Sequence, residues 1–382
     1  MRLMIGQLKD NLLLNVKNII GWRTNRKIVV FSVDDYGNVR LDSKAARARM
    51  DRQGVPVYNR FDALDTLETK QDLEALFEVL TSVKDQNDRF PVFTTFAVPC
   101  NINFEKVAQS GFNSYSYELL PQTFEKLSVR HPQAYRGTWE LLKEGIAEGL
   151  MVPQFHGREH VNLKVFNEKL EAGDDQLLNC LQNRSYTSIS DSGYQTISPM
   201  AAFDFWKFDE NEELQSIIVD GLDQFEKVFG YRAEHFTPPV FNVHPILYKT
   251  LNRCGIRFVD TALVSHQHQG KGKFKYEYNY TGKTKDQLCL MVRNVVFEPT
   301  DNRSIDWISY AMEQIEVAFR WNRPAIISSH RVNFCGHIDE KNREKGLDAL
   351  GKLLMKITER WPEVEFMSAN EVGELIRPPQ DA

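Results

Sequence analysis

The chain has 382 residues, 42% of them hydrophobic and 26% charged, with 24 Phe, 13 Tyr and 6 Trp. That apolar content excludes disorder as the dominant state, and with it the collagen-like and low-complexity classes. Forty-seven Lys and Arg against 52 Asp and Glu leave a net charge of −5, so no nucleic-acid partner is expected, because such a footprint needs a basic balance.

A prior of ~150 residues per domain predicts two or three domains, although one α/β barrel takes ~250 residues and can exceed 400 with insertions. The five cysteines form no C-x-x-C pair and read as reduced, buried thiols. Residues 1–26 place Leu8, Leu12, Leu13, Val16, Ile19 and Ile20 among Lys and Asn residues. This is the pattern of an amphipathic helix, not of a 7–15-residue apolar signal core. No 18-residue apolar run occurs, so no transmembrane segment is expected, and the expected location is the cytoplasm.

Lys27–Val33 is a β-branched apolar run that predicts a buried parallel strand ending in Asp34-Asp35-Tyr36-Gly37. Further strands are predicted at Pro91–Val98, Leu150–Phe155, Glu234–Phe236, Ile256–Thr261, Leu288–Val296, Ala325–Ser329 and Glu363–Met367. Helices are predicted at Ser43–Asp51, Gln71–Val83, Gln133–Glu148, Glu210–Val228, Pro245–Arg253, Ile305–Trp321, Glu340–Thr358 and Asn370–Ile376. Alternation of this kind predicts α/β with a parallel sheet. Seven or eight strands suit a distorted (β/α)7-type barrel, and a doubly wound sheet is the competing arrangement. Gly173–Trp206 does not alternate and reads as an insertion. The organisation expected is an N-terminal helix over 1–26 and one barrel over 27–382.

Active sites of parallel α/β folds collect at the carboxyl ends of strands, and three strand ends carry reactive groups. Asp34-Asp35 closes the first strand, and two carboxylates there are costly unless solvated, paired or metal-bound. His156-Gly157-Arg158-Glu159-His160 follows the strand Leu150–Phe155, and its two imidazoles four residues apart suit a divalent ion such as Zn²⁺. His330 ends Ala325–Ser329, where it can serve as acid, base or structural group. Together Asp35, His156 and His160 make a two-His, one-Asp set with positions open for water, while Asp34 and His330 can move protons.

At these residues the chain resembles the polysaccharide deacetylases of carbohydrate esterase family four, the NodB homology domain. Their T-F-D-D-G motif is matched by Ser32-Val33-Asp34-Asp35-Tyr36, with an atypical Tyr36 and Gly37 one place late; H-S/T-x-x-H by His156–His160; and L-x-H by Ile327-Ser328-Ser329-His330. The resemblance covers roughly residues 27–370. It implies a distorted barrel of about seven strands, Asp34 as base, Asp35, His156 and His160 as metal ligands, and His330 as general acid. The family's R-x-P-F/Y motif falls at Phe236–Phe241, but Thr237 stands where its Arg is expected. Arg232, Arg303 or Arg331 could take that place. Asp260 and Trp307 are set against the fourth motif. Thr237, Pro238, Pro239 and Arg331 are expected on the substrate side.

The function expected is a zinc-dependent, or other divalent-metal-dependent, hydrolase acting on an acetylated carbohydrate or a related small molecule, with no prediction of oligomeric state. Hydrolysis of a small-molecule amide is an alternative. So is a non-catalytic glycan-binding descendant of the fold. The third is an H-x-x-E-H zinc peptidase with Glu159 as base, which requires a helix through His156–His160. Phe203, Phe205, Trp206 and Phe208 read as core packing or a sugar platform. His266 and His268 read as solvated loop residues, His235 and His244 as flanking the Pro pair, and Asn333 and Cys335 as shaping the loop after His330.

Overall fold

The computed structural model describes residues 14–189 and 191–377. Of the expected N-terminal helix, residues 14–19 are helical, and residues 1–13 lie outside the described residues. The described part packs on the barrel: the Arg323 guanidinium donates to the carbonyls of Asn18 and Ile19 at 2.9 and 2.8 Å. Among the described residues, no helix is long and apolar enough to cross a membrane.

The strands are β1 (Lys27–Tyr36), β2 (Phe93–Ala97), β3 (Cys100–Ile102), β4 (Tyr117–Leu119), β5 (Met151–Phe155), β6 (His235–Phe236) and β7 (Phe258–Asp260), then β8 (Val264–His268), β9 (Phe274–Tyr278), β10 (Lys283–Lys285), β11 (Leu288–Met291), β12 (Val295–Val296), β13 (Ala325–His330) and β14 (Val364–Phe366). Ten form one sheet in the order β10-β11-β7-β6-β5-β2-β1-β13-β12, with β14 on β1. Every pairing in it is parallel except β10 with β11. The strand β11, next to the edge strand β10, and the opposite edge strand β12 are separated in the chain by Val292–Asn294 alone. Three residues span at most about 11 Å, so the sheet curls back until its two ends almost meet, with helices around it: a deacetylase-type (β/α) barrel.

Strand parity sets what faces inward, because successive side chains alternate between faces. Ile28 and Val30 of β1, Phe96 of β2, Phe258 of β7, Cys289 and Met291 of β11 and Ile326 of β13 share one buried cluster, the barrel interior. Val29, Phe31 and Val33, the other parity of β1, join the cluster under the outer helices. Further along the interior parity stand Asp260 and Arg293, two residues on from Phe258 and Met291, and Asp34 and His330, reached through Ser32 and Ser328. The carboxyl end of the barrel is therefore capped by a polar layer built on the same alternation as its apolar filling.

Three expectations change here. Leu288–Val296 is two short strands, and the break at Val292–Asn294 lets Arg293 leave the ladder. His266 and His268 lie in β8, antiparallel to β9, and not in a solvated loop; His268 is buried, 3.1 Å from Asp204. The helices Leu120–Arg130 and Leu163–Glu171 had not been predicted. Segment 173–206 is largely irregular around the helix Asp175–Gln182, and the Tyr186 N–H donates to the Arg40 carbonyl at 3.0 Å.

Candidate metal and proton-transfer site

Asp34 and Asp35 point to different partners because the strand is distorted between them. The β1–β2 register shifts between Val33 and Tyr36, and Asp35 has φ 75°, a left-handed conformation uncommon for a residue with a side chain. A bulge of this kind re-aims side chains beside active sites. Gly37, φ 73°, completes the turn: a Cβ there would stand 2.7 Å from the Val98 carbonyl oxygen.

Asp35 turns toward the loop after β5. Its Oδ1 lies 3.0 Å from His160 Nε2 and 3.4 Å from His156 Nε2, and all three side chains are buried. One ligand atom from each lies within 4.8 Å of the others. The Thr237 carbonyl, an acceptor only, lies 2.6 Å from His156 Nδ1, so Nδ1 carries the proton and donates. His156 Nε2 is left with its lone pair inward and no hydrogen-bond partner. A ligating His usually donates its second ring N–H to such a group. Burial pushes the Asp35 carboxyl up, but His160 and His156 outweigh it and hold it well below the usual carboxylate range. Burial lowers His160. A carboxylate and neutral imidazoles are the forms that bind metal, and the donor set fits a divalent ion such as Zn²⁺.

Asp34 turns to the polar layer. Arg293 Nη1 and Nη2 donate to its two oxygens, each at 2.7 Å. The same guanidinium donates through Nε to Asp260 at 2.7 Å and through Nη2 to the Thr237 hydroxyl at 2.9 Å. Thr237 donates in turn to Asp260 at 2.8 Å, whose other oxygen lies 2.9 Å from His235 Nε2. Phe96 and Phe241 cover the guanidinium at 4.9 and 5.0 Å. Burial raises the Asp260 carboxyl and Arg293 overrides it, so it stays ionised.

His330 stands opposite Asp34 in the β1–β13 register. Its Nδ1 lies 2.6 Å from Glu298. Glu298 also accepts from Asn333 Nδ2 at 2.8 Å and from Arg60. Burial alone would lower His330, but the Glu298 carboxylate more than reverses this and sets its pKa at about 9. The ring is 31% exposed, the accessible edge a proton donor needs.

Of the candidates for the missing arginine, Arg232 pairs with Asp223 and Glu226, Arg303 with Asp301, and Arg331 with Asp65 and Glu68. Arg293 takes the place at Asp34 instead, reaching the space that Thr237 is too short to fill. An arginine interrupting the apolar run Leu288–Val296 was its trace in the sequence. Glu298 and Arg60 left none. Arg331 is fully buried, its guanidinium taken up by Glu68 and Asp65. Pro239 is buried and leads into a strained turn, with Val240 and Phe241 at φ 59° and 57°, that lays Phe241 on Arg293. Trp307 lies in the outer core, away from the polar layer. Phe203 and Phe205 are core residues, whereas Phe208 is exposed.

The peptidase alternative fails on geometry. No helix runs through His156–His160, and the buried Glu159 is committed to a two-point pair with Arg158 at 2.7 and 2.9 Å.

No family model matches the sequence, and no curated protein matches it. Solved structures do match. A candidate glycoside hydrolase/deacetylase from Parabacteroides distasonis is 10% identical, with a TM-score of 0.50 over 94% of this chain and 73% of that one. A candidate polysaccharide deacetylase from Mycobacterium smegmatis is 12% identical, with a TM-score of 0.45 over 95% and 96%. The 4-alpha-glucanotransferase of Thermococcus litoralis is 11% identical at a TM-score of 0.44, and this chain spans 40% of its length. At these identities the likeness concerns the fold, and of these three the first carries it.

Proposed function

We propose that this protein is a divalent-metal-dependent hydrolase, with Zn²⁺ as the ion, that removes acetyl groups from an N- or O-acetylated carbohydrate. The observation that carries the reading is the convergence on one barrel mouth of the Asp35–His156–His160 set, an arginine-held Asp34 and a carboxylate-held His330. A bound divalent ion would acidify a water and polarise an acyl carbonyl.

The protein's own groups supply the rest. Asp34 accepts the proton of the attacking water at a carboxylate oxygen, each oxygen keeping a lone pair beside its Arg293 bond. Arg293 fixes the carboxylate plane and, through Thr237, ties it to the carbonyl that orients His156. His330 donates from Nε2 to the departing nitrogen or oxygen, with Glu298 holding the imidazolium in place. A non-catalytic glycan binder would have no use for a carboxylate and an imidazole at one mouth, each held in place by its own charged partner. A small-molecule amide would use the same groups and differ only in what fills the mouth.

The test is acetate release by the zinc-loaded protein from acetylated chito-oligosaccharides and acetylated xylan, with small N-acyl amides alongside. Acetate from either glycan is the expected result. Amide turnover without glycan turnover moves the substrate class, and no turnover of any acyl compound overturns the reading.

A further inference from the structure

The groups that this chemistry leaves unused lie one aromatic ring away from His330. Arg40 leaves the end of β1 five residues after Asp35 and is 6% exposed. Among the described residues no acceptor lies within hydrogen-bond reach of its guanidinium, and the nearest counter-charge, Asp65 Oδ2, stands 3.8 Å from Nε. The other Asp65 oxygen is taken by Arg331 at 2.7 Å. Asn38 is 2% exposed, and its amide nitrogen also has no acceptor, while its oxygen accepts from the Tyr186 hydroxyl. Buried polar groups in native proteins are nearly always hydrogen-bonded, and Arg40 has an ion pair without a hydrogen bond, to a carboxylate it shares with Arg331.

Their position relates them to the site. The Arg40 guanidinium lies 5.2 Å over the Phe61 ring, and the Phe61 ring meets the His330 ring edge-on at 5.3 Å. Arg40 also lies close enough to Asp35 and His160 to bias both electrostatically. Tyr186 pins this segment from the insertion, through the Arg40 carbonyl and the Asn38 amide. Both groups without a hydrogen-bond partner are donors, and one is a planar cation. Their complement is an acceptor with a negative charge, since charge-assisted hydrogen bonds are the strong ones at a guanidinium and the facing Asp65 carboxylate supplies Arg40 with none.

We propose that Arg40 and Asn38 bind an anionic group of the substrate, a carboxylate or a phosphate, beside the acyl group to be removed. The word substrate rests on the hydrolytic reading above; the anion site itself does not.

Two arms separate those claims. In the first, kcat/KM is measured for N-acetylglucosamine, its C6 carboxylate and its 6-phosphate, with wild-type enzyme, Arg40→Met and Arg40→Lys. Wild type should prefer one or both anionic sugars at least tenfold, and whichever is preferred identifies the group. Arg40→Met should lose the preference, and Arg40→Lys, which keeps the charge and guards against a folding defect, should keep part of it. Equal use of neutral and anionic sugars by wild type overturns the proposal.

The second arm needs no turnover: calorimetric binding of D-glucuronate and of inorganic phosphate to wild type and Arg40→Met at matched zinc content. At least tenfold weaker binding by the variant is expected. Anions bound equally by both proteins, or by neither, overturn the anion site. Anion binding without hydrolysis of any acetylated sugar overturns the hydrolytic reading alone.

Discussion

Arg293 and Asp34 stand 259 residues apart in the chain and meet in a two-point guanidinium–carboxylate pair at 2.7 Å for each oxygen. Such a pair fixes the plane of the carboxylate as well as its charge. Because the same guanidinium binds Asp260 and Thr237, the proposed base, the strut beneath it and the carbonyl that orients His156 form one connected unit.

Replacing Arg293 by Met would leave buried Asp34 unpaired and take the guanidinium from Asp260. Breaking a buried pair costs about 3–5 kcal/mol, so the urea midpoint should fall steeply. Arg293→Met combined with Asp34→Asn should lose less than the sum of the two single changes. Strict additivity would show that the pair is not coupled.

Asp34→Asn should keep its metal and lose turnover by about 10²–10⁴-fold, the usual worth of a general base. Elemental analysis reads the first and initial rates the second. An unaltered rate would remove Asp34 from the role of base.

His330, at about 9, lies above its ordinary value of 6.5. Folding therefore favours the protonated ring. The stability it contributes is fully present below about pH 6.5 and is lost as pH rises through about 9. Urea midpoints across that window should fall. The basic limb of the rate profile should sit near 9 in wild type and move down in Glu298→Gln, where burial acts without the carboxylate. A limb unmoved by Glu298→Gln would show that another group donates the proton.

His156→Ala should sharply reduce the divalent ion retained through purification, and wild type should melt at a higher temperature when zinc is added, because an ion bound to the folded state alone stabilises it. Glu159→Gln should change neither. Ion content equal in His156→Ala and wild type would dissociate this histidine from the metal.

Much of the fold was legible because its cause is local. A run such as Ile28–Val33 can hardly be anything but a buried strand, and the groups at its end, at His156–His160 and at His330 fall where strands stop. The hairpin β8–β9 was not legible: β9 alternates in Phe274, Tyr276 and Tyr278, but Val264–His268 does not, and the Gly- and Lys-rich turn at 269–273 reads as a loop. Arg293 could be seen only as a charge inside an apolar run, and nothing in its neighbours says that it faces Asp34. Glu298, Arg60 and Arg40 act wholly through space, on partners set by the curl of the sheet.

That curl has a dynamic corollary. No ladder hydrogen bonds join β11 to β12, so this seam is the direction in which the barrel opens at least cost, and Arg293 rides on it. Widening of a few tenths of an ångström would slacken the grip on Asp34 long before the hydrophobic interior is breached. Warming should therefore erode the precision of proton transfer ahead of global melting, with activity declining while the far-ultraviolet circular dichroism remains native.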